Sequence, residues 1–433
     1  MAAIDVSEYE QIELVSVDGS ETIDIRLGVT SFNYYEDIFS PIITAIIQIV
    51  NDSNSFNGES IYKGLPLQAG ETVLIKIKGN TKSNPGLDFS KKGQEFYVDK
   101  VTNVLMTTDK EIFTLHLVPK ESIRNEISRV VQKYPTNLAI SASVEKILQD
   151  VLKTDNTLDI EQTANKYGFI GNMRKPFTVI NWLMSKAVPE SEEGDATAGY
   201  LFWQTQEGIN FKSIDGLINQ DPVNDGSPYV YDEITTKVGR NTDFKILEYE
   251  ANRNQNLLEK LRTGTYASNR IFFNPLTGNF TGPQQGNYQL ADYKGKSKNL
   301  GRVIDLPLVD PESQDTIAEI PSRIVTQVLD VGTFETDVSK KGNADPMKYQ
   351  SQTLMRYNTL LTQITTMTIP SNTNLKAGDV IDCKFPGKNN EPNMEISGLY
   401  MIKELCHYFD RKGSWSSLTL IRDTFGQYGT NSK

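Results

Sequence analysis

The sequence predicts a β-rich α+β chain of several domains: two similar antiparallel β-barrel modules, an α+β domain between them and a loop-rich insertion. Three observations predict it. Both ends alternate apolar and polar residues with a period of two, whereas the middle repeats its apolar residues at helical spacing. A thirteen-residue phrase, "LQAGETVLIKIKG" from Leu67 to Gly79, returns as "LKAGDVIDCKFPG" from Leu375 to Gly387. At roughly 100–200 residues per domain, the 433 residues have room for all these parts.

Residues 1–121 read as the first β module. "DIRLGVTSFNYY" and "ITAIIQIV" are rich in β-branched and aromatic residues, and Val73, Ile75 and Ile77 share one strand face while Lys76 and Lys78 share the other. "EFYVDKV" and "IFTLHLV" continue the pattern, separated by "NDSNSFNG", "GNTKSNPG" and "TTDKE". Short strands at short intervals imply an antiparallel barrel or sandwich.

Residues 122–228 change texture. Val144, Ile147, Leu148, Val151 and Leu152 follow helical spacing, with Ser141 or Ser143 as the expected N-cap. "KPFTVINWLMSKAVP" predicts a second helix, with Pro176 in the first turn, where its missing N–H costs nothing. "GYLFWQTQEGINFKSI" predicts two strands around a Gln-Glu-Gly turn.

Residues 263–350 hold "NPLTGNFTGPQQGNYQLADYKGKSKNLG", which has little periodicity and predicts long loops. Residues 229–262 with 351–425 are expected to form the second, discontinuous β module, from "DFKILEYEANRNQNLLEKL" and the strands "QITTMTIP", "DVIDCKFPG", "LYMIKEL" and "WSSLTLI". Residues 426–433 remain as a tail.

The repeated phrase has matching neighbours. "FYVDKV" with Tyr97 pairs with "LYMIKEL" with Tyr400, and "TLHLV" from Thr114 pairs with "SLTLI" from Ser417. Tyr97 to Thr114 and Tyr400 to Ser417 are both 17 residues. Gly70 to Tyr97 is 27 and Gly378 to Tyr400 is 22, a difference expected in the turn-rich "GNTKSNPGLDFSKK". The signature is Leu67, Ala69, Gly70, Glu71 and Tyr97, repeated as Leu375, Ala377, Gly378, Asp379 and Tyr400. Each Gly permits a turn conformation that side-chained residues resist, and each carboxylate sits where a strand begins. Three chains carrying two such modules each would make a ring with six similar units, able to join a three-fold partner to a six-fold one.

Composition excludes more than it proposes. The net charge is −11 and no basic block appears, which disfavours sequence-directed binding to nucleic acid or an anionic membrane. The opening residues lack a basic stretch followed by an apolar one, so no signal peptide is expected, and the longest apolar run, near "PIITAIIQIV", is far short of a membrane helix. No membrane anchor is therefore expected. Cys383 and Cys406 read as reduced, packed thiols.

The two histidines, His116 and His407, cannot furnish a His-rich metal site, and Cys406 and His407 should face opposite sides of a strand. HExxH, GxSxG, P-loop and GxGxxG patterns are absent. "ESEEGD" reads as a solvated loop, and "DPVNDGSPYVYDE" lacks EF-hand spacing. Trp182, Trp203 and Trp415 are expected in cores. No catalytic, cofactor or metal residue is assigned.

"NYYEDIFSPIITAIIQIVNDS" and "GLPLQAGETVLIKI" resemble the opening of baseplate hub proteins of contractile-tail bacteriophages. The matching residues are Tyr34 to Pro41, Asp52-Ser53 and Leu65 to Val73. "FTVINWLMSKAVP…GYLFWQTQEGINFKSIDGLI" is similar to that family's central domain, and "LKAGDVIDCKFPG…SGLYMIKELCHYFDRKGSWSSLTLIRDTFG" to its second barrel. The double-barrel hub of type VI secretion spikes is similar. The resemblance implies a non-enzymatic virion protein of the tail baseplate, made in the host bacterial cytoplasm. It implies a homotrimer with a pseudo-six-fold ring, a tail tube protein above, a trimeric spike protein below, and contacts to other baseplate proteins and a tape measure. DNA would pass through the channel without specific binding, and an acidic lumen would repel it. The same pattern fits the hub of a phage-derived injection system or tailocin. A tail-associated cell-wall hydrolase is the third reading, and it requires a pair of carboxylates about 5–9.5 Å apart.

Overall fold

The computed structural model describes residues 2–52, 60–65, 67–190, 197–224, 226–231, 242–254, 256–275, 277–282, 286–290, 299–301, 306–309, 312, 315–329, 346–387, 391–424 and 426. Ser53, Pro66, residues 191–195 of the acidic run, parts of the 263–350 stretch and nearly all of the tail lie outside the described residues.

In the first part, β1 to β8 are Glu8–Val15, Thr22–Asp24, Val29–Asp37, Thr44–Asp52, Thr72–Lys78, Gly86–Phe89, Phe96–Met106 and Lys110–Pro119, with α1 at Ile61–Gly64. Their period-two pattern becomes one buried face. Ile47, Ile49, Val73, Ile75, Phe96, Phe113 and Leu115 join one apolar core, closed by Phe409 from far along the chain. Each fully buried aliphatic or Phe side chain contributes about 1.5–3 kcal/mol relative to exposure.

The middle part holds α2 (Lys120–Ile127), β9 (Lys133–Tyr134), α3 (Ile140–Lys146), β10 (Leu158–Ile160), β11 (Phe169–Ile170), α4 (Pro176–Met184), β12 (Tyr200–Thr205), β13 (Gly208–Ser213) and α5 (Ile214–Ile218). Helix α3 runs into a π-helical turn, Ile147–Leu152. The helical face found in the sequence packs a second core against β12 and β13. The expected Ser caps are corrected: Ala139 is the N-cap, without a side-chain bond, and Ser141 and Ser143 are buried inside the helix. Ser141 Oγ instead accepts from the Thr163 amide at 3.2 Å.

The remaining elements are β14 (Tyr229–Tyr231), β15 (Lys245–Ile246), β16 (Glu248–Arg253), α6 (Leu257–Thr263), β17 (Ala267–Phe273), β18 (Asn287–Gln289), β19 (Arg323–Val328), α7 (Pro346–Leu360), β20 (Gln363–Pro370), β21 (Val380–Lys384), β22 (Gly398–Asp410) and β23 (Ser414–Arg422). The insertion is thus not all loop. Strands β18, β17 and β19 form a small mixed sheet, with β19 parallel to β17. Such a parallel pair joins segments far apart in sequence, which local periodicity cannot reveal. A third core, with Met367, Ile381, Tyr400, Leu405, Leu418 and Leu420, sits under β20 to β23.

One large sheet runs through both ends of the chain in the order β15-β14-β21-β22-β3-β4-β8-β7-β5-β1-β2, with β20 beside β23 and β16 beside β20. The chain is therefore β-rich with a compact α+β portion. Trp203 is buried, Trp415 stacks on Tyr408 with ring centroids 4.5 Å apart, and Trp182 is 39% exposed, so Trp182 departs from the expectation of a core residue. His407 lies inside β22 and is fully buried. Among the described residues, no helix is long and apolar enough to cross a membrane.

Candidate functional site: the repeated turn and the sheet junction

The two copies of the repeated phrase make the same turn. Gly70 has φ +100° and Gly378 φ +98°, in the left-handed region that favours glycine. The Gly70 amide donates to Val98 O at 2.8 Å, and the Val98 amide donates to Glu71 O at 2.9 Å. Likewise the Gly378 amide donates to Ile402 O at 2.8 Å and the Ile402 amide to Asp379 O at 2.8 Å. The acidic side chains cap the same turn: Gln68 N donates to Glu71 Oε1 at 2.8 Å, and Lys376 N to Asp379 Oδ2 at 2.9 Å. Leu375 is buried in the third core, and Leu67 packs partly buried on the first.

The likeness continues into the strands. Strand β7 bulges between Val98 and Lys100 opposite β8, and β22 bulges between Ile402 and Glu404 opposite β23. Thr102 faces Thr114, and Cys406 faces Ser417. The register corrects one pairing. Thr72 and Val73 face Tyr97 and Phe96, whereas Val380 and Ile381 face Met401 and Tyr400. The counterpart of Tyr400 is therefore Phe96, and Tyr97 lies on the other strand face, half-buried. A second bulge in β7, between Thr102 and Leu105, adds the residue that made both spacings read 17.

The copies differ in what holds them. The second sits at a three-way joint built around Glu36 on β3, which is 1% exposed. Glu36 Oε1 accepts from Tyr34 Oη at 2.6 Å and from the Gln206 amide, in the β12–β13 turn, at 2.8 Å. Glu36 Oε2 accepts from the Ala377 amide at 2.8 Å. One carboxylate thus ties both ends of the chain to the middle part. Trp203 Nε1 donates to Ala377 O at 2.9 Å, and Gln220 Nε2 to Gly378 O at 2.6 Å. Burial pushes the Glu36 carboxyl up to about 7, against its three donors, and burial likewise pushes Asp379 up to about 6. The first copy has no such socket. Its nearest neighbour to a Cβ on Gly70 would be Val17, at 3.8 Å, and Ala69 adopts φ +78° where Ala377 does not have positive φ.

Beside the joint, β22 pairs antiparallel with β3, from Glu404 opposite Asp37 to Asp410 opposite Ser31. This junction fuses the two halves of the sheet. Its non-core face presents Tyr35, Asp37, Glu404 and Cys406, and a cleft of about 220 Å³ opens there, lined by Tyr35, Glu36, Asp37, Ser40, Ile42, Thr44 and Glu404. Lys403 Nζ lies 3.2 Å from Asp37 and 3.4 Å from Glu404. Among the described residues, no group of three His, Cys, Asp or Glu could hold a metal ion. Sequence reasoning found both turns but missed Glu36, because its partners come from residues about 170 and 340 positions away.

No family model matches the sequence, and no curated protein matches it. Solved structures do match. A tail protein from Neisseria meningitidis MC58 superposes with a TM-score of 0.52 at 10% identity, over 95% of this chain and 96% of that one. The 43 kDa tail protein of prophage MuSo2 from Shewanella oneidensis superposes with a TM-score of 0.53 at 9% identity, over 96% and 98%. The chain has the fold of these two tail proteins along almost its whole length.

Proposed function

We propose that this chain is a structural, non-enzymatic tail protein: a baseplate hub whose two barrel modules, residues 1–121 and 229–262 with 351–425, form half-units of a trimeric, pseudo-six-fold ring. The ring would join a hexameric tail tube to a trimeric spike and leave a channel for DNA. The single observation that carries this reading is the repetition of turn, capping carboxylate and bulge in two halves fused by the β22–β3 pairing. Two similar units joined head to tail form one repeat of a closed three-fold ring, so three copies supply six similar units. The non-core sheet face supports the channel. Asp37, Glu404, Glu248 and Glu250 alternate with core residues on its β3, β16 and β22 part, where Lys403 is ion-paired, while Lys76, Lys78, Lys100 and Lys384 lie on other strands of the sheet. Such a face repels a polyanion. The signature residues Gly70, Glu71, Gly378 and Asp379 are structural in this reading, and Glu36 is the clasp between modules.

Mass by light scattering during size-exclusion chromatography tests it, alone and with a candidate trimeric tail-spike protein. A particle near three times 48.6 kDa, or an equimolar complex of three chains with three spike chains, is the expected result. A persistent monomer under both conditions overturns the ring.

A further inference from the structure

The repeat makes the chain's open edges countable. Within the chain, the distal part of β22 is covered by β3. Strand β7 is the counterpart of β22, yet beyond Val98 it pairs only with β8 among the described residues. Strand β16 is the counterpart of β3, yet it pairs only with β20 among them. The correspondence is residue by residue. Leu115 faces Ile47, which faces Phe32; Leu418 faces Met367, which faces Tyr249. Leu117 faces Ala45, which faces Tyr34; Leu420 faces Thr365, which faces Ala251. Two positions on, Arg253 stands where Glu36 stands. Across the joint, Leu405 faces both Glu36 and Leu418, and the residue facing Leu115 is Val101.

We infer that the β7 edge of one protomer receives the β16 edge of a second copy of this chain, Val101 opposite Arg253 and Thr102 opposite Asn252, so that Arg253 meets the Glu71 carboxylate. The inference rests on the ring reading and deepens it by naming the contact. Three independent features fit. The open part of β7 exposes Val104, Leu105 and Met106, at 42%, 55% and 39%, an apolar edge of the kind that soluble proteins cover. Glu71 is 1% exposed and its Oε2 has no hydrogen-bond partner. An unpaired buried carboxylate oxygen is costly, and a cation relieves it. Finally, Ala251 replaces Tyr34, which frees the volume that a guanidinium needs. The two junction types of the ring would then differ in sign: Glu36 near Asp379 within a chain, Arg253 near Glu71 between chains. Oppositely built junctions disfavour pairing a module with the wrong neighbour.

Engineered cysteines test the register. In the full chain, Thr102→Cys with Asn252→Cys should give disulfide-linked dimers and closed trimers on mild oxidation, and Thr102→Cys with Asn254→Cys should not. Arg253→Glu should weaken self-association about tenfold or more. Glu395→Gln should leave association unchanged, although it removes the intrachain pair in which Arg253 Nη2 lies 2.6 Å from Glu395 Oε2. A trimer that fails to link at 102–252 overturns the register and spares the ring. Linkage with unaltered association of Arg253→Glu overturns the Glu71 contact. A chain that stays monomeric with and without spike protein removes ring and register together.

Discussion

The Arg356 guanidinium lies 2.6 Å from the Asp215 carboxylate, joining α7 to α5, and its other arm is 3.4 Å from Asp423 beyond β23. Arg356 and Asp423 side chains are each 2% exposed. The Leu300 amide donates to the second Asp423 oxygen at 3.0 Å. This buried ionic centre ties α7 to α5 and to the residue after β23, and the Leu300 backbone joins it.

Removing one partner of a buried pair leaves uncompensated charge. Arg356→Met should therefore destabilise the chain by about 3–5 kcal/mol, read as a lower urea midpoint. Lys212→Ala, which removes a pair to Asp159 that is 60% exposed, should shift stability by no more than about 1 kcal/mol. Equal effects from the two would show that the buried centre contributes nothing special.

The two signature glycines should differ. Gly70→Ala meets only the strain of a positive φ, about 1–2 kcal/mol, because the nearest atom is 3.8 Å away. Gly378→Ala adds a collision, since its Cβ would stand 2.7 Å from the Trp203 ring. Overpacking costs a further ~1–3 kcal/mol. Denaturation of both variants checks the order, and a more damaging Gly70→Ala would contradict it.

Stability should fall between about pH 4.5 and pH 7 and level off above that. Glu36 and Asp379 have folded-state pKa values raised to about 7 and about 6, so the native chain holds these protons more tightly than the unfolded one. Their stabilising contribution is complete below the unfolded carboxyl pKa of about 4 and is lost as pH rises from there to the folded values. Buried His407, lowered to about 4 by desolvation, acts oppositely: its contribution is present above pH 6.5 and is lost as pH falls toward 4. Because two carboxyls outweigh the one imidazole, thermal midpoints should fall from about pH 4.5 to about pH 7 and stay level up to pH 8.5. Glu36→Gln should reduce this fall, and an unchanged fall would assign it to other groups.

Both thiols should resist modification. Burial pushes Cys383 well above the ordinary thiol range and Cys406 up to about 11, so neither forms thiolate at neutral pH. A disulfide-exchange reagent at pH 8 should titrate them only after denaturant is added. Rapid reaction of Cys383, buried in β21, in the native chain would show that the sheet opens at the β21–β22 pairing.

The sequence by itself determined what local sterics and periodicity control. The strand faces, the α4 start at Pro176, the β12–β13 hairpin and the two glycine turns all follow from neighbours within a few residues. Only the tertiary structure decided what depends on distant partners. The β7 bulge between Thr102 and Leu105, which made the two 17-residue spacings agree out of register, leaves no compositional trace, because one extra residue changes the facing of a strand without changing its character. The β17–β19 pairing, the burial of Arg356 and the role of Glu36 have the same cause. Each joins groups separated by tens to hundreds of residues, so the energy that fixes them appears only when the chain has closed on itself.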